Sequence, residues 1–326
     1  MFVEAIEAIL KDQCTPAFVR KVEAGAPAAP LWDALADAGF LELLAPEAAG
    51  GAGLTLAEAF PVFTALGRHA VPAPVAQSLA ARALLAPHGV AVPAGMVTLA
   101  PALRAEGEGG YCAQTPFGML AGHVLADAGS DLVLLDCAAA ERVAAGVHGS
   151  QCATLRWARA EPLLRLPGAG GGVQAFGAAL HAALLAGAMS RVFELTLQYG
   201  NDRAQFGKSI GKFQAIQHQL AVMAEHVAAA GTAAELAFRG DRPVPAMLGA
   251  AIAKARTSEA VGVVAASAHA VHGAIGVTEE YDLQLLTRRL HEWRMAHGSE
   301  AYWHRFVGEA LLAWRGSASD FARQAA

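Results

Sequence analysis

The chain has 326 residues, 55% of them hydrophobic and only 16% charged, with a net charge of −5 at neutral pH. That length is ample for a large core spread over two or three domain-sized units, and so few charges imply that much of the chain lies in packed helices or at subunit interfaces. The acidic balance excludes nucleic acid as a main partner. Four cysteines, Cys14, Cys112, Cys137 and Cys152, are scattered without a C-x-x-C pair, as free thiols of a reducing compartment would be. The opening MFVEAIEAILKDQ lacks the basic flank and long apolar stretch of a signal peptide. No apolar run reaches the eighteen or so residues of a membrane span. A cytoplasmic location is the expectation.

Residues 1–92 read as helical. Phe2, Ile6 and Ile9 mark an amphipathic start. A helix carrying Leu31, Leu35 and Ala38 on one face ends at Gly39, a C-cap residue. Pro46 and the run Gly50-Gly51-Ala52-Gly53 form a loop. Thr55, with Glu58 three residues on, predicts a capping box at the start of the next helix. Gly67-Arg68, Pro72 and Pro74 end it.

Residues 93–167 change character to short, alternating or β-branched runs (VTLAPAL, GYCAQT, HVLADA, DLVLLDC) separated by Gly, Asp and Ser, which predict a small β-domain. Gly129-Ser130-Asp131 reads as a turn between two of these strands. Gly168 to Gly172, GAGGG, is a linker. From 168 to 326 the pattern is helical, over about 174–200, 211–238, 246–272, 282–296 and 299–315. The alanine and glycine content there suits close helix packing in a bundle.

Between the first two of these helices lies Arg-Ala-Gln-Phe-Gly, 203–207, a tight polar turn. Phe213, Ile216, Leu220, Met223 and Val227 follow at helical spacing as one buried face. An arginine fork, an amide and an aromatic ring at a helix start could hold an anion, or form an ordinary hairpin with a salt-bridged arginine. Twelve histidines, among them His269, His272, His291, His297 and His304, invite a metal reading. No Glu-x-x-His pair occurs and an H-x-x-H alone lacks a third ligand, so no metal is expected.

RAQFGKSIGKFQAIQHQLAVMAE resembles the flavin-contacting segment of the acyl-CoA dehydrogenase family, R-x-x-F-G-x-x-I-x-x-F-Q-x-x-Q-x-x-L-A-x-M. The order W-x-x-L-x-x-x-G-F…PE-x-x-GG-x-GL…LGR…P-x-P within 32–74 resembles that family's N-terminal helical domain. AVHGAIGVTEEYDLQLLTRRLHEWRMAHGSEAYW, from Ala270, resembles its G-G-x-G-[FY]-x-x-E-[YH]-x-x-x-x-x-x-R segment leading into Y-E-G-T, with Arg288 on the arginine and Ala270 where a flavin-contacting glutamine often stands.

The resemblance implies a mainly α fold with a small β-domain: an N-terminal helical domain (1–92), a middle β-barrel-like domain (93–167) and a C-terminal helical bundle (168–326). It implies FAD as cofactor, contacted by Arg203, Gln205, Phe206, Gln214, Gly273, Ala274 and Ser299, with Arg203 reaching the pyrophosphate of a flavin bound largely by a neighbouring subunit. It also implies an acyl-CoA thioester substrate, a tetramer of this chain or of this chain with a second such subunit, and electron-transfer flavoprotein as the usual acceptor.

The sequence departs from the family at three places. The T-E-P-x-x-G-S-D segment beside the flavin is absent. The glutamate of Y-E-G-T, the usual base, is His297, with Glu300 one turn on. The alternative base position, twenty-six residues before Arg203, is Gly177. Three readings follow. The chain completes a partner's FAD site without supplying the base, as in heteromeric relatives associated with bulky acyl groups including steroid side chains. It is a homomeric enzyme using His297 or another base. Or it is a flavin-free scaffold.

Overall fold

A computed structural model describes residues 2–240 and 242–325. Capping chemistry sets the first helices. Helix α1 (Phe2–Gln13) is followed by α2 (Pro16–Glu23), where the Thr15 hydroxyl accepts from the Phe18 N–H and proline occupies the first turn. Helix α3 (Ala29–Asp37) stops before Gly39, which adopts φ +78°. Leu31 and Leu35 are buried, but Ala38 falls just past the last helical turn and is exposed. Before α4 (Leu56–Arg68) the predicted capping box is formed: the Thr55 Oγ1 accepts from the Glu58 N–H, and the Glu58 carboxylate accepts from the Thr55 N–H at 2.9 Å. Helix α5 (Val75–Leu85) is buried along its whole length.

Eight strands follow: β1 (Val97–Ala100), β2 (Arg104–Glu106), β3 (Gly109–Thr115), β4 (His123–Ala128), β5 (Asp131–Asp136), β6 (Glu141–Ala144), β7 (Ala153–Trp157) and β8 (Leu164–Leu166). They form two four-stranded sheets, β1-β4-β5-β8 and β2-β3-β7-β6, and only the β1–β4 pair is parallel. Gly129, at φ +66°, makes the tight β4–β5 turn. The sheets enclose a core of Cys112, Val124, Val133, Leu135, Leu155 and Trp157. The intervening residues of the first sheet, Leu99, Leu125, Leu132 and Leu134, face the other way and join the helical core. Both faces of β4 and β5 are therefore buried, and their strands read as apolar runs.

The helical core is continuous from Ile6 to Trp303. At its centre is α6 (Gly172–Asp202), whose first turn is anchored by the Asp127 carboxylate of β4. That carboxylate accepts from the Gly171 and Gln174 N–H groups at 2.9 and 3.2 Å, a negative charge at the favourable end of the helix dipole. Glycine sets how closely α4 and α6 approach: a Cβ on Gly187 would lie 2.0 Å from the Thr64 carbonyl oxygen. A two-residue hairpin, β9 (Ala204–Gln205) with β10 (Lys208–Ser209), leads to α7 (Gln214–Leu236), α8 (Met247–His272), α9 (Leu283–Met295), α10 (Glu300–Ala313) and α11 (Ala318–Ala325).

Contrary to the expectation of no span-length apolar run, two helical stretches, Gly172–Asp202 and Met247–Val277, are long and apolar enough to cross a membrane. Valine, leucine and alanine together carry that apolarity. The apolar window of the first is 89% buried inside the fold and that of the second 44%.

Candidate active site and cofactor contacts

The loop 296–299 between α9 and α10 carries the position of the expected base. A buried lysine of α8 holds it in place: the Lys254 Nζ donates to the Arg294 carbonyl at 2.7 Å, the Gly298 carbonyl at 3.0 Å and the Ser258 hydroxyl at 2.8 Å. The His297 carbonyl accepts from the Trp303 indole N–H at 3.0 Å and the Gln174 amide at 3.2 Å. Held this way, His297 adopts φ +52°, a left-handed conformation uncommon outside glycine, asparagine and aspartate.

Its imidazole turns inward, only 3% of the residue being exposed. The ring stacks on His181 of α6, centroids 5.1 Å apart, and lies against Gly177, where a Cβ would sit 2.0 Å from the His297 Nδ1. The two positions that could carry the base thus meet in space, and the imidazole fills the room that a Gly177 side chain would need. Neither ring nitrogen of His297 has a hydrogen bond of good geometry among the described residues, and the Leu99 backbone is only a weak partner. Burial, reinforced by Lys254, pushes its pKa down to about 3 against the weaker pull of the Leu99 backbone. His181 is pushed well below the ordinary value by burial first and then by His297. Lys254 itself falls to about 7 through burial, opposed by Glu300. At neutral pH both imidazoles are neutral and weakly basic.

Outside the loop, a cleft of about 230 Å³ separates the β-domain from α9, lined by Gln114, Pro116, Cys152, Glu292 and His297 among others. This is below the roughly 300–1,000 Å³ of typical ligand pockets. The strand end on its wall reads Gln114-Thr115-Pro116, with Gln114 at φ +44°. The Thr115 hydroxyl is turned inward, donating to the Cys112 carbonyl at 3.2 Å. No Thr-Glu-Pro run stands here.

Sequence reasoning also missed Glu292, the carboxylate that does reach this cleft. It sits 2.8 Å from Arg289, inside a buried ionic cluster with Glu23 and Arg288 that ties α2 to α9. Burial raises its pKa and Arg289 opposes. Glu292 is the one acidic residue of α9, but its burial depends on Glu23 and Arg289 coming together in the fold, which no local pattern reports. Glu300 is paired with Arg294.

The Arg203–Gly207 turn lies elsewhere. Arg203 caps the C-terminal end of α6, its N–H donating to the Tyr199 carbonyl at 2.9 Å, and a 3-10 turn (Ile210–Lys212) intervenes before α7. The helix-start argument for an anion site therefore does not apply to it. Phe206 and Gly207, at φ +52° and +80°, form the two left-handed residues of a type I′ hairpin. Phe206 is 90% exposed, its ring 6.2 Å from Phe213, over which the Lys208 ammonium sits at 4.3 Å. The side chains of Arg203 and Gln205 are exposed and make no hydrogen bond or ion pair among the described residues. Gln214 opens α7, also exposed.

Tyr199 stacks on His272 at 4.4 Å, so the exposed Gly273 and Ala274 that end α8 lie at the same end of the bundle as the hairpin. Ser299 does not. It precedes α10 beside His297, with its hydroxyl unused as a cap. Gly177 and Arg203 are twenty-six residues apart on one helix, or about 39 Å by helical rise, longer than a flavin dinucleotide.

This is the three-part architecture of the acyl-CoA dehydrogenases. The family's N-terminal domain matches residues 1–90 and its C-terminal domain residues 174–312. Acyl-CoA dehydrogenase IpdE2 of Mycobacterium tuberculosis is 33% identical over 298 residues, covering 89% of this chain and 90% of the relative. A chain of the ChsE4-ChsE5 complex from the same organism superposes with a TM-score of 0.84 at 22% identity, over 96% of this chain and 97% of its own. A chain of the Tcur3481-Tcur3483 steroid ACAD superposes at 0.82 with 26% identity, over 94% and 95%. The chain belongs to the acyl-CoA dehydrogenase family and is an oxidoreductase of that family.

Proposed function

We propose that this chain is the subunit of a heteromeric acyl-CoA dehydrogenase that completes the FAD site of a partner subunit and supplies no catalytic base. The observation that carries the proposal is the closure of the base position, where the imidazole of His297 is buried, neutral and packed on Gly177. A base must reach the α-proton of a thioester bound next to it, and this one faces the core.

The opposite end of the chain supports the other half of the proposal. A guanidinium without a hydrogen bond or ion pair among the described residues, beside an aromatic ring that is 90% exposed, matches a phosphate-bearing ligand held by a neighbour. Arg203 would hold the pyrophosphate, with Gln205, Phe206, Gln214 and the Gly273–Ala274 turn around it. The ring end fits FAD poorly here, since the cleft beside Gln114 is small and lacks the Thr-Glu pair. When bound, FAD supplies the acceptor for the β-hydride of the acyl thioester. The base that removes the α-proton would be a carboxylate of the partner. The name of the steroid ACAD neighbour supports a bulky acyl-CoA such as one with a steroid side chain as substrate, and the two-component ChsE4-ChsE5 and Tcur3481-Tcur3483 neighbours support a second subunit.

A second reading, a homomeric enzyme, has one observation in its favour: Glu292 borders the cleft. Its pairing with Arg289 commits that charge elsewhere. The test is the flavin absorbance of the chain purified alone and with its partner chain. Flavin in the mixed complex only is the expected result, and stoichiometric flavin in the lone chain overturns the proposal.

A further inference from the structure

A second cleft, of about 270 Å³, opens where α1, α2, α4, α6 and α9 meet. Its floor is apolar, formed by Leu10, Val19, Leu195, Leu285 and Leu286. Its rim carries three cations, Lys11, Arg68 and Arg191, and one carboxylate, Asp282, and Lys11 is paired with Glu7 at 3.5 Å. Asp282 is already paired with Arg20 at 2.8 Å. Both oxygens of the neighbouring Glu194 accept from Arg68, at 2.6 and 2.5 Å. Arg191 is left with a single 3.5 Å contact to that same Glu194. Two guanidinium groups share one carboxylate, so most of the five N–H donors of Arg191 stay unpaired among the described residues. The wall beside Arg68 is Ala70, held at φ +48°, a conformation that persists for a non-glycine residue only where its surroundings impose it.

We propose that this cleft binds a monocarboxylate with an aliphatic tail, the carboxylate on Arg191 and the tail against Leu195, Leu285 and Leu286. Lys11, Arg20 and Arg68 each have a carboxylate of their own, and the loosely paired guanidinium of Arg191 calls for an anion. The planar fork of arginine matches a carboxylate in two-point contact, and the leucine floor calls for a tail. An apolar cavity of about 150 Å³ accommodates benzene, so the space here takes a chain of roughly eight carbons. The site is separate from the flavin contacts: Arg191 precedes Arg203 by twelve residues, about 18 Å along α6.

The test is calorimetric titration of the complex of this chain with its partner, using octanoate as probe and acetate and octanol as controls lacking the tail or the charge. Saturable octanoate binding is expected, with both controls at least about tenfold weaker. Arg191→Gln should weaken octanoate about ten- to hundredfold and leave flavin content and turnover unchanged. Leu195→Trp, which fills the floor, should abolish binding while Arg191 is intact. Failure of octanoate to saturate, octanol binding as tightly as octanoate, or octanoate binding that Arg191→Gln leaves unchanged would each overturn the proposal.

Discussion

Acid should destabilise this chain through His297, and the amount follows from its burial. An exposed histidine in the unfolded chain titrates near pH 6.5, whereas His297 in the fold is pushed down to about 3. The folded-state value is the depressed one, so the fold binds fewer protons than the unfolded chain between these two values. The stabilisation is fully present above pH 6.5 and is lost as pH falls toward 3. Between pH 7 and pH 4.5 the loss amounts to about 2.5 kcal/mol from this one group, with His181 adding to it in the same direction. Replacing the imidazole by an apolar ring removes the linkage and keeps the stacking surface. Urea unfolding of the natural chain and of His297→Phe at the two pH values measures it directly. The natural chain should lose the larger amount, by about 2 kcal/mol or more. Equal losses would show that His297 is protonated in the fold without cost and would refute the linkage.

Gly177→Ala should destabilise by about 1–3 kcal/mol, because its Cβ would meet the His297 Nδ1 at 2.0 Å. His297→Ala in the same chain should recover most of that loss, and an additive double mutant would refute the contact. Arg203→Ala should lower flavin retention by the complex one to two decades, since a charge-assisted contact is worth roughly 1.5–3 kcal/mol; unchanged flavin content after dialysis removes Arg203 from the site. Glu292→Gln should cost about 1–3 kcal/mol in stability by unbalancing Arg289, with turnover of the complex within a few-fold of normal. A hundredfold fall in that rate would make Glu292 the base.

The helical domains were legible because their signals are local. The Thr55–Glu58 box and the helices over 174–200 and 246–272 need only neighbours in sequence, and the structure forms them within a few residues of the expected bounds. The Gly129 turn was legible for the same reason. What the sequence hid is non-local. That His297 and Gly177 touch depends on how α6 and the 296–299 loop are brought together through Lys254 and Gln174, 40 residues or more apart from the groups they bind. The inward turn of the His297 ring follows from a positive φ that no spacing rule assigns to a histidine. Glu292 reads as one more surface acid until the fold buries it against Arg289. The membrane-length helices show the converse, since composition cannot tell a core helix from a span.

The central claim, that the catalytic base is not on this chain, is tested most directly by acyl-CoA turnover of the co-purified complex carrying His297→Ala, with a reducible dye as acceptor and flavin content measured alongside. A buried imidazole with a pKa of about 3 takes no part in α-proton removal, and the rate should stay within a few-fold of normal. Loss of a positioned general base costs about 10²–10⁴ in rate, so a fall of a hundredfold or more with flavin still bound would contradict the account.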